Sequence, residues 1–212
     1  LQGLALPATV WEQEVLPKRV RDYRSSDLDE LSSAGEIVWR GFDSLGSDDG
    51  RIAFYLTDHL LNLAPVGEPP AEGVAQQIYD LLAARGALFF DDLARAIGGF
   101  RNDCLDGLWQ LVWQGLVSND TLAPLRSLRA AKTNARRNTR QRSRRRSFRS
   151  RRQTQRGSEG RWRLLIPADV ERPSVTEQQL AQATQLIDRY GVLTVSYTHL
   201  RAHETVLDLV CR

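Results

Sequence analysis

The sequence contains no methionine, only two cysteines, only two lysines, and no apolar run that approaches the length of a membrane span. Each scarcity removes a class of function. A bilayer-crossing helix needs about 18 or more consecutive apolar residues, so no span is expected. Cys104 and Cys211 are too few for a disulfide framework or a cysteine-based zinc site, which makes the cytoplasm the expected compartment. Neither Lys18 nor Lys132 follows a glycine, so the Gly–Lys–Ser/Thr loop that cradles nucleotide phosphates in a motor is missing. Asp29 and Glu30 fall in an amphipathic helical pattern rather than at the end of an apolar strand, which argues against an acidic motor box. The absence of methionine, the apolar start at Leu1 and the lack of a leader layout predict an internal fragment.

Histidine is scarce too, at His59, His199 and His203. No local motif supplies serine and aspartate partners for a triad. His199 and His203 stand at i, i+4, but the glutamate that a metalloprotease places between them lies outside the pair, as Glu204. No catalytic, cofactor-binding or metal-binding residue is therefore expected.

What is present is ordinary globular material with an unusual distribution of charge. The 212 residues are 42% hydrophobic and 26% charged, enough for one large unit or two to three small ones. The net charge of +3 hides a strong asymmetry: residues 126–163 hold 16 of the 29 lysines and arginines with a single acid, Glu159, and carry +15 against −12 for the remainder. Residues 129–156 have no acid and few apolar side chains besides Phe148, so they cannot bury enough surface to fold alone.

The body reads as short helices followed by strand pairs. Pro7 suits a first helical turn, and Val10, Trp11, Val15 and Leu16 share a face up to Pro17. A second helix is expected from Asp27 to Ala34, capped by Ser25 or Ser26, with Leu28 and Leu31 inward and a stop at Gly35. Ile37, Trp39 and Ile52–Leu56 then read as two strands joined by Asp43–Gly50. After the Pro-rich residues 65–70, Val74, Ile78, Leu81 and Leu82 repeat at helical spacing up to Gly86, and Asp91 is placed to cap a short helix through Ile97. Leu105, Leu108, Trp109 and Val112 define a third helix ending at Gly115. Leu116–Asn119 and Arg161–Ile166 are its candidate strand pair.

Self-comparison supports repetition. A shift of 80 superposes Leu28, Leu31, Gly35 and Ile37 on Leu108, Leu111, Gly115 and Val117; a shift of 105 superposes Leu81, Leu82, Gly86 and Leu88 on Leu186, Ile187, Gly191 and Leu193. Three helices followed by a two-stranded hairpin describe a winged helix. The expectation is an α+β chain of tandem winged helices with a disordered Arg-rich wing insertion. Its parts are a partial unit at 1–64, a unit at 65–170 carrying the basic insertion at 126–160, the first helix of a third unit at 171–195, and an ill-fitting tail at 196–212. That tail, SYTHLRAHETVLDLVCR, resembles translated sequencing adapter, and it contains His199, His203 and Cys211.

The insertion would sit at a wing tip. Its arginines Arg136, Arg137, Arg140, Arg142, Arg144, Arg145, Arg146, Arg149, Arg151 and Arg152 are the candidate DNA contacts, made to phosphate without base reading. The alternative is drifted Ser/Arg low complexity in a surface loop. On the third helix Asp103, Asp106, Gln110 and Gln114 are expected to face out, and acids there would repel phosphate where a reader enters the groove. Trp113 is expected to touch a neighbouring unit rather than a base.

The phrases LPATVWEQEVLPKRVRDYRSSDLDEL, GEIVWRG, RGALFFDDL, LWQLVWQGLVSNDTLAPLRSL, GRWRLL and RYGVLT resemble, in that order, the region beyond the motor core of bacterial Lhr, the large helicase-related proteins. The similarity covers about residues 3–195. It implies an ATP-dependent superfamily 2 helicase moving 3′ to 5′ on single-stranded DNA in DNA repair, cytoplasmic and nucleoid-associated. ATP and magnesium would be held by the motor core of the same polypeptide, and the partner would be DNA, single-stranded or partly duplex. The resemblance also implies a C-terminal winged-helix array and β-barrel that look like the scaffold of a DNA glycosylase family, some relatives being credited with uracil removal. After Thr194 the family pattern stops, and neither an ATP site nor a glycosylase carboxylate maps onto a residue of this chain. The other readings are a winged-helix transcription regulator, which should show a basic recognition helix, and part of a base-excision module, which should bring a carboxylate into an aromatic pocket.

Overall fold

The computed structural model describes residues 1–65, 67–129, 155–167 and 169–191. The first unit begins with a two-residue strand β1 (Leu6–Pro7), then a helical run made of α1 (Ala8–Val10), a π-helical turn (Trp11–Val15) and α2 (Leu16–Arg19). Pro7 is the residue before the helix rather than its first turn. The helix also continues past Pro17. The π turn explains how: the Leu16 amide bonds back to the Trp11 carbonyl, which shifts the ladder just ahead of a residue that has no N–H to offer.

Helix α3 (Ser25–Ala34) follows, then the hairpin β2 (Ile37–Leu45) and β3 (Asp49–Leu56), a 3-10 turn (Thr57–His59) and α4 (Leu60–Leu63). Neither Ser25 nor Ser26 caps α3, which starts after Arg24 with no side-chain cap. Leu28 is buried, but Leu31 is 37% exposed: it lies on the last turn, beyond the reach of the unit's small core. The hairpin is longer than the pattern predicted, because its polar ends are paired by backbone from Leu45 and Asp49 inward.

The second unit repeats the plan with a leading helix. It runs α5 (Gly73–Arg85), β4 (Leu88–Phe89), α6 (Phe90–Ile97), α7 (Arg101–Trp113), β5 (Val117–Asn119), α8 over residues 123–129 and β6 (Arg161–Leu164). Asp91 is not the cap of α6 but lies in its first turn. The two sheets have the same order, β1-β3-β2 and β4-β6-β5, all antiparallel. The shift of 80 is realised atom for atom in the helix stops. Gly35, at φ 80°, and Gly115, at φ 70°, each donate to the carbonyl three residues back, and the next amide donates to the carbonyl five back. This paired closure uses a left-handed residue that glycine adopts freely.

Helix α9 (Val175–Tyr190) is capped by Ser174, whose hydroxyl accepts from the Glu177 amide while the Glu177 carboxylate accepts from the Ser174 amide. This bonding holds the Glu177 carboxyl below the usual range. Its Leu180 and Ile187 are exposed. Under the shift of 105 they occupy the places of Ala75 and Leu82, which α5 buries.

One apolar cluster runs through both units. Ala8, Trp11, Leu28, Trp39 and Ile52 of the first pack continuously with Ile78, Phe90, Leu93, Leu108, Leu111 and Trp162 of the second. Three indole N–H groups reach carbonyls: Trp11 to Ile52 at 3.0 Å, Trp109 to Gly157 at 3.0 Å, and Trp39 across the units to Thr121 at 3.2 Å.

Candidate nucleic-acid interface

The basic segment is described as far as Arg129 in α8 and again from residue 155, and these two described ends are tied together. The Ser127 hydroxyl accepts from the Gly157 amide at 2.7 Å and donates to the Glu159 carboxylate at 2.8 Å. Asn119 donates from its amide to the Glu159 carbonyl at 2.9 Å, and Trp109 holds the Gly157 carbonyl. The described residues that flank 130–154 are therefore joined to each other beside β5 and β6. The ten expected contacts, Arg136 to Arg152, lie outside the described residues, as do His199, His203 and the tail from residue 196.

Two cations at the root of this segment are not free. Arg126 donates from Nε to Glu12 at 2.6 Å and from Nη1 to Asp29 at 2.5 Å; Arg129 donates to the other Glu12 oxygen. The side chains are 24%, 25%, 18% and 9% exposed for Arg126, Asp29, Arg129 and Glu12, so water screens the network poorly. Burial alone would lower the Arg126 pKa, but its bonds to Asp29 and Glu12 hold it above the ordinary value. Tyr23 shares this pocket: burial, then the Glu12 charge, pushes its phenol up to about 12. The composition counted Arg126 and Arg129 as part of the basic segment. Their partners are about a hundred residues away in sequence, so no local pattern could have revealed the pairing.

Helices α3 and α7, which precede the hairpin of each unit in the place of the helix that a reader would send into the major groove, are engaged by the opposite unit. On α3, Asp29 accepts from the Leu122 amide at 2.9 Å and Ser33 donates to the Asp120 carbonyl at 3.2 Å. Ser118 of β5 donates to the Trp39 carbonyl at 2.6 Å. On α7, Val112 and Trp113 lie against the first unit's hairpin so closely that a side chain at Gly41 or Gly50 would collide with the Val112 carbonyl or the Trp113 ring. Trp113, stacked on Trp109 at 5.1 Å, is thus an inter-unit contact, as the sequence predicted. Asp103, Asp106 and Gln110 are exposed as expected, whereas Gln114 is half-buried at the seam.

Arg40 belongs to the same seam. Only 6% exposed, it donates to the Gly41 carbonyl at 3.2 Å and lies 4.3 Å from the Phe42 ring centre; burial pulls its pKa down. Gly115 leaves room for its guanidinium. Cys104 is a buried free thiol with its pKa raised by burial, a packing residue of α7. His59 accepts or donates one exposed bond with Gln2 at 3.0 Å. Among the described residues there is no group of three His, Cys, Asp or Glu able to hold a metal, and no helix long and apolar enough to cross a membrane.

Two three-stranded winged units sharing one core make this a tandem winged-helix protein. Residues 1–57, which span β1 to the end of β3, match the family model described as large helicase-related protein, winged-helix domain. The chain is 37% identical to the Lhr helicase/uracil glycosylase of Escherichia coli over 92% of its own length. It is also 37% identical, over 92%, to the Lhr helicase/probable uracil glycosylase of Mycolicibacterium smegmatis. It spans only 14% and 13% of those relatives. The chain is a fragment of a large helicase-related protein.

Proposed function

We propose that this region is the DNA-binding accessory part of an Lhr-type ATP-dependent helicase, one that moves 3′ to 5′ and acts in DNA repair. It holds single-stranded or partly duplex DNA by its phosphates and reads no bases. The observation that carries this is the seam: α3 and α7 are both taken up in joining the units. That arrangement does not favour a sequence-reading regulator. The remaining cationic feature large enough to bind DNA is the Arg-rich segment, including Arg142, Arg144, Arg145 and Arg146.

ATP and magnesium chemistry belongs, in this reading, to the motor of the same polypeptide. Lys18, the one described lysine, follows Pro17 and pairs with Glu14, so no phosphate cradle can be built around it. Uracil removal, which the relatives' names carry, needs a carboxylate in a base pocket. The most enclosed carboxylate of the network described above, Glu12, is bound by two arginines, so we assign no catalytic residue.

The test is a salt titration of fluorescent single-stranded and duplex DNA. Each neutralised phosphate adds about 0.9 to the log-log salt slope on duplex and about 0.7 on single strands. Changing Arg142, Arg144, Arg145 and Arg146 to Gln should lower the slope by roughly two to four units with no change in melting temperature. An unchanged slope would overturn the role of the segment.

A further inference from the structure

We propose that a cleft between α9 and the first unit is a binding site for one unstacked nucleotide of single-stranded DNA, whose base it encloses and whose phosphate Arg189 meets. This rests on the DNA-binding reading above, and adds to it a contact that holds a base without regard to its identity.

The cleft has a volume of about 260 Å³. That lies just below the roughly 300–1,000 Å³ of sites for drug-sized ligands, so it suits a single ring system with its sugar and phosphate at the mouth. Phe42 of β2 and Tyr55 of β3 supply aromatic walls, and Leu63 of α4 and Leu186 of α9 supply aliphatic ones. Such walls exclude water, and every base has a face that can stack on an aromatic ring. Gly3 also borders the cleft; a side chain there would lie 3.4 Å from Tyr55 Cε1 and 3.6 Å from the phenol oxygen. Its absence leaves the edge of the tyrosine clear.

Polar groups converge on the same space with bonds still to make. The side chains of Gln182 and Gln185, both lining the cleft from α9, have no hydrogen-bond partner among the described residues. Neither has the hydroxyl of Tyr55, although that residue is only 2% exposed. A carboxamide carries donors and an acceptor together, so this pair can meet the edge of a purine or a pyrimidine alike. Gln2, by contrast, is already committed to His59 and to the Leu56 amide.

Charge points the same way. No acid lines this cleft, and one cation does. Arg189 donates from Nη2 to the Gln2 carbonyl, while its Nε is buried without an acceptor. A buried N–H left unpaired is costly, and a phosphate is an acceptor that the guanidinium fork matches. The charges that act on the Tyr55 phenol are Arg40 and Arg189, both cations, which oppose the larger upward effect of burial on its pKa. The neighbouring cleft of about 860 Å³ shares Leu63 and Gln185 but sets Glu171, Glu177 and Asp188 against Arg172 and His59, a balance that disfavours phosphate. With no carboxylate among its walls, the smaller cleft can hold a base but has no group of the kind that base excision needs.

The experiment compares the affinity of the 212-residue chain for a fluorescent strand of about 12 thymidines, within the usual site size of single-strand binders, with that for an abasic sugar-phosphate strand of the same length. Phosphate contacts made elsewhere cancel in the ratio, so the ratio reports the cleft and the two affinities report DNA binding as such. The thymidine strand should bind about fivefold to a hundredfold more tightly. Tyr55→Phe and Gln182→Glu should each reduce that ratio by about two- to tenfold, and Arg189→Gln should lower the salt slope on the thymidine strand by about 0.7, with melting curves confirming that each variant is folded. Asn62→Asp, an equal change of charge in the neighbouring cleft, should leave the ratio unchanged. A ratio near one in the native chain would overturn the proposal; retained affinity for both strands would then preserve the DNA-binding reading, and loss of both would end that reading too. A raised ratio that none of the three cleft substitutions alters would also overturn the proposal, placing the stacked base elsewhere. So would thymidine monophosphate binding as tightly as the strand, which would assign the cleft to a free nucleotide.

Discussion

Glu12→Gln tests the seam at its most enclosed ion pair. The substitution keeps the shape of the side chain and removes the charge that Arg126 and Arg129 share. At an effective dielectric near 20, two unit charges about 4 Å apart attract by about 4 kcal/mol, part of which offsets desolvation. Fully buried pairs cost about 3–5 kcal/mol to break from one side, and exposed ones about 0–1. With Glu12 9% exposed and its partners 18% and 24%, the cost should lie nearer the first limit, about 2–4 kcal/mol. For a chain of this size that is a fall in melting temperature of roughly 5–12 °C. Arg129→Gln in the Glu12→Gln background removes the orphaned cation, so the double variant should be more stable than the sum of the singles requires, by about 0.5–3 kcal/mol. Thermal and urea unfolding of the four proteins measures both quantities. A loss below about 0.5 kcal/mol, or strict additivity, would show that the network is a surface decoration and that apolar packing and the other hydrogen bonds across the seam join the units.

Tyr23→Phe should be harmless at neutral pH, because the hydroxyl is buried without a partner, and should change the alkaline limb. A folded pKa of about 12 against about 10 unfolded means folding favours the neutral phenol: that contribution is complete below pH 10 and is lost as pH rises through 12. Melting curves from pH 8 upward should therefore diverge above pH 10 in favour of Phe; parallel profiles would refute the assignment. Cys104, buried with a raised pKa, should resist thiol reagents in a Cys211→Ser chain until urea unfolds it, and rapid labelling of the native chain would show that α7 is not packed as described.

Local signals carried the repeat and distant ones did not. Gly35 and Gly115 were readable because a helix stop needs a left-handed residue at a fixed offset from the apolar face. Trp113 was readable as an inter-unit contact because its helix face was already filled by Leu108, Trp109 and Val112. The strands β1 and β4 were not, since two residues each cannot display a period. The failed caps at Ser25 and Asp91 have the same origin: composition offers a capping side chain, but backbone geometry decides the boundary. The pairing of Arg129 with Glu12 spans 117 residues and follows from how two units dock, which no single-segment pattern encodes.

That docking also limits what the fold can do. A groove reader needs a third helix that stands clear of its own protein and carries donors at its exposed positions. Helix α3 instead carries Asp27, Asp29 and Glu30, and α7 carries Asp103 and Asp106. On α3 the acid is structural: Asp29 binds the Leu122 amide with one oxygen and Arg126 with the other. Turning α3 into a base-reading helix would require a cation there, and a cation at residue 29 would face Arg126 and leave the Leu122 amide unsatisfied. Reading bases and joining the units therefore make opposite demands on one side chain. Aspartate meets the second demand, so the DNA contacts proposed above fall to segments outside the seam.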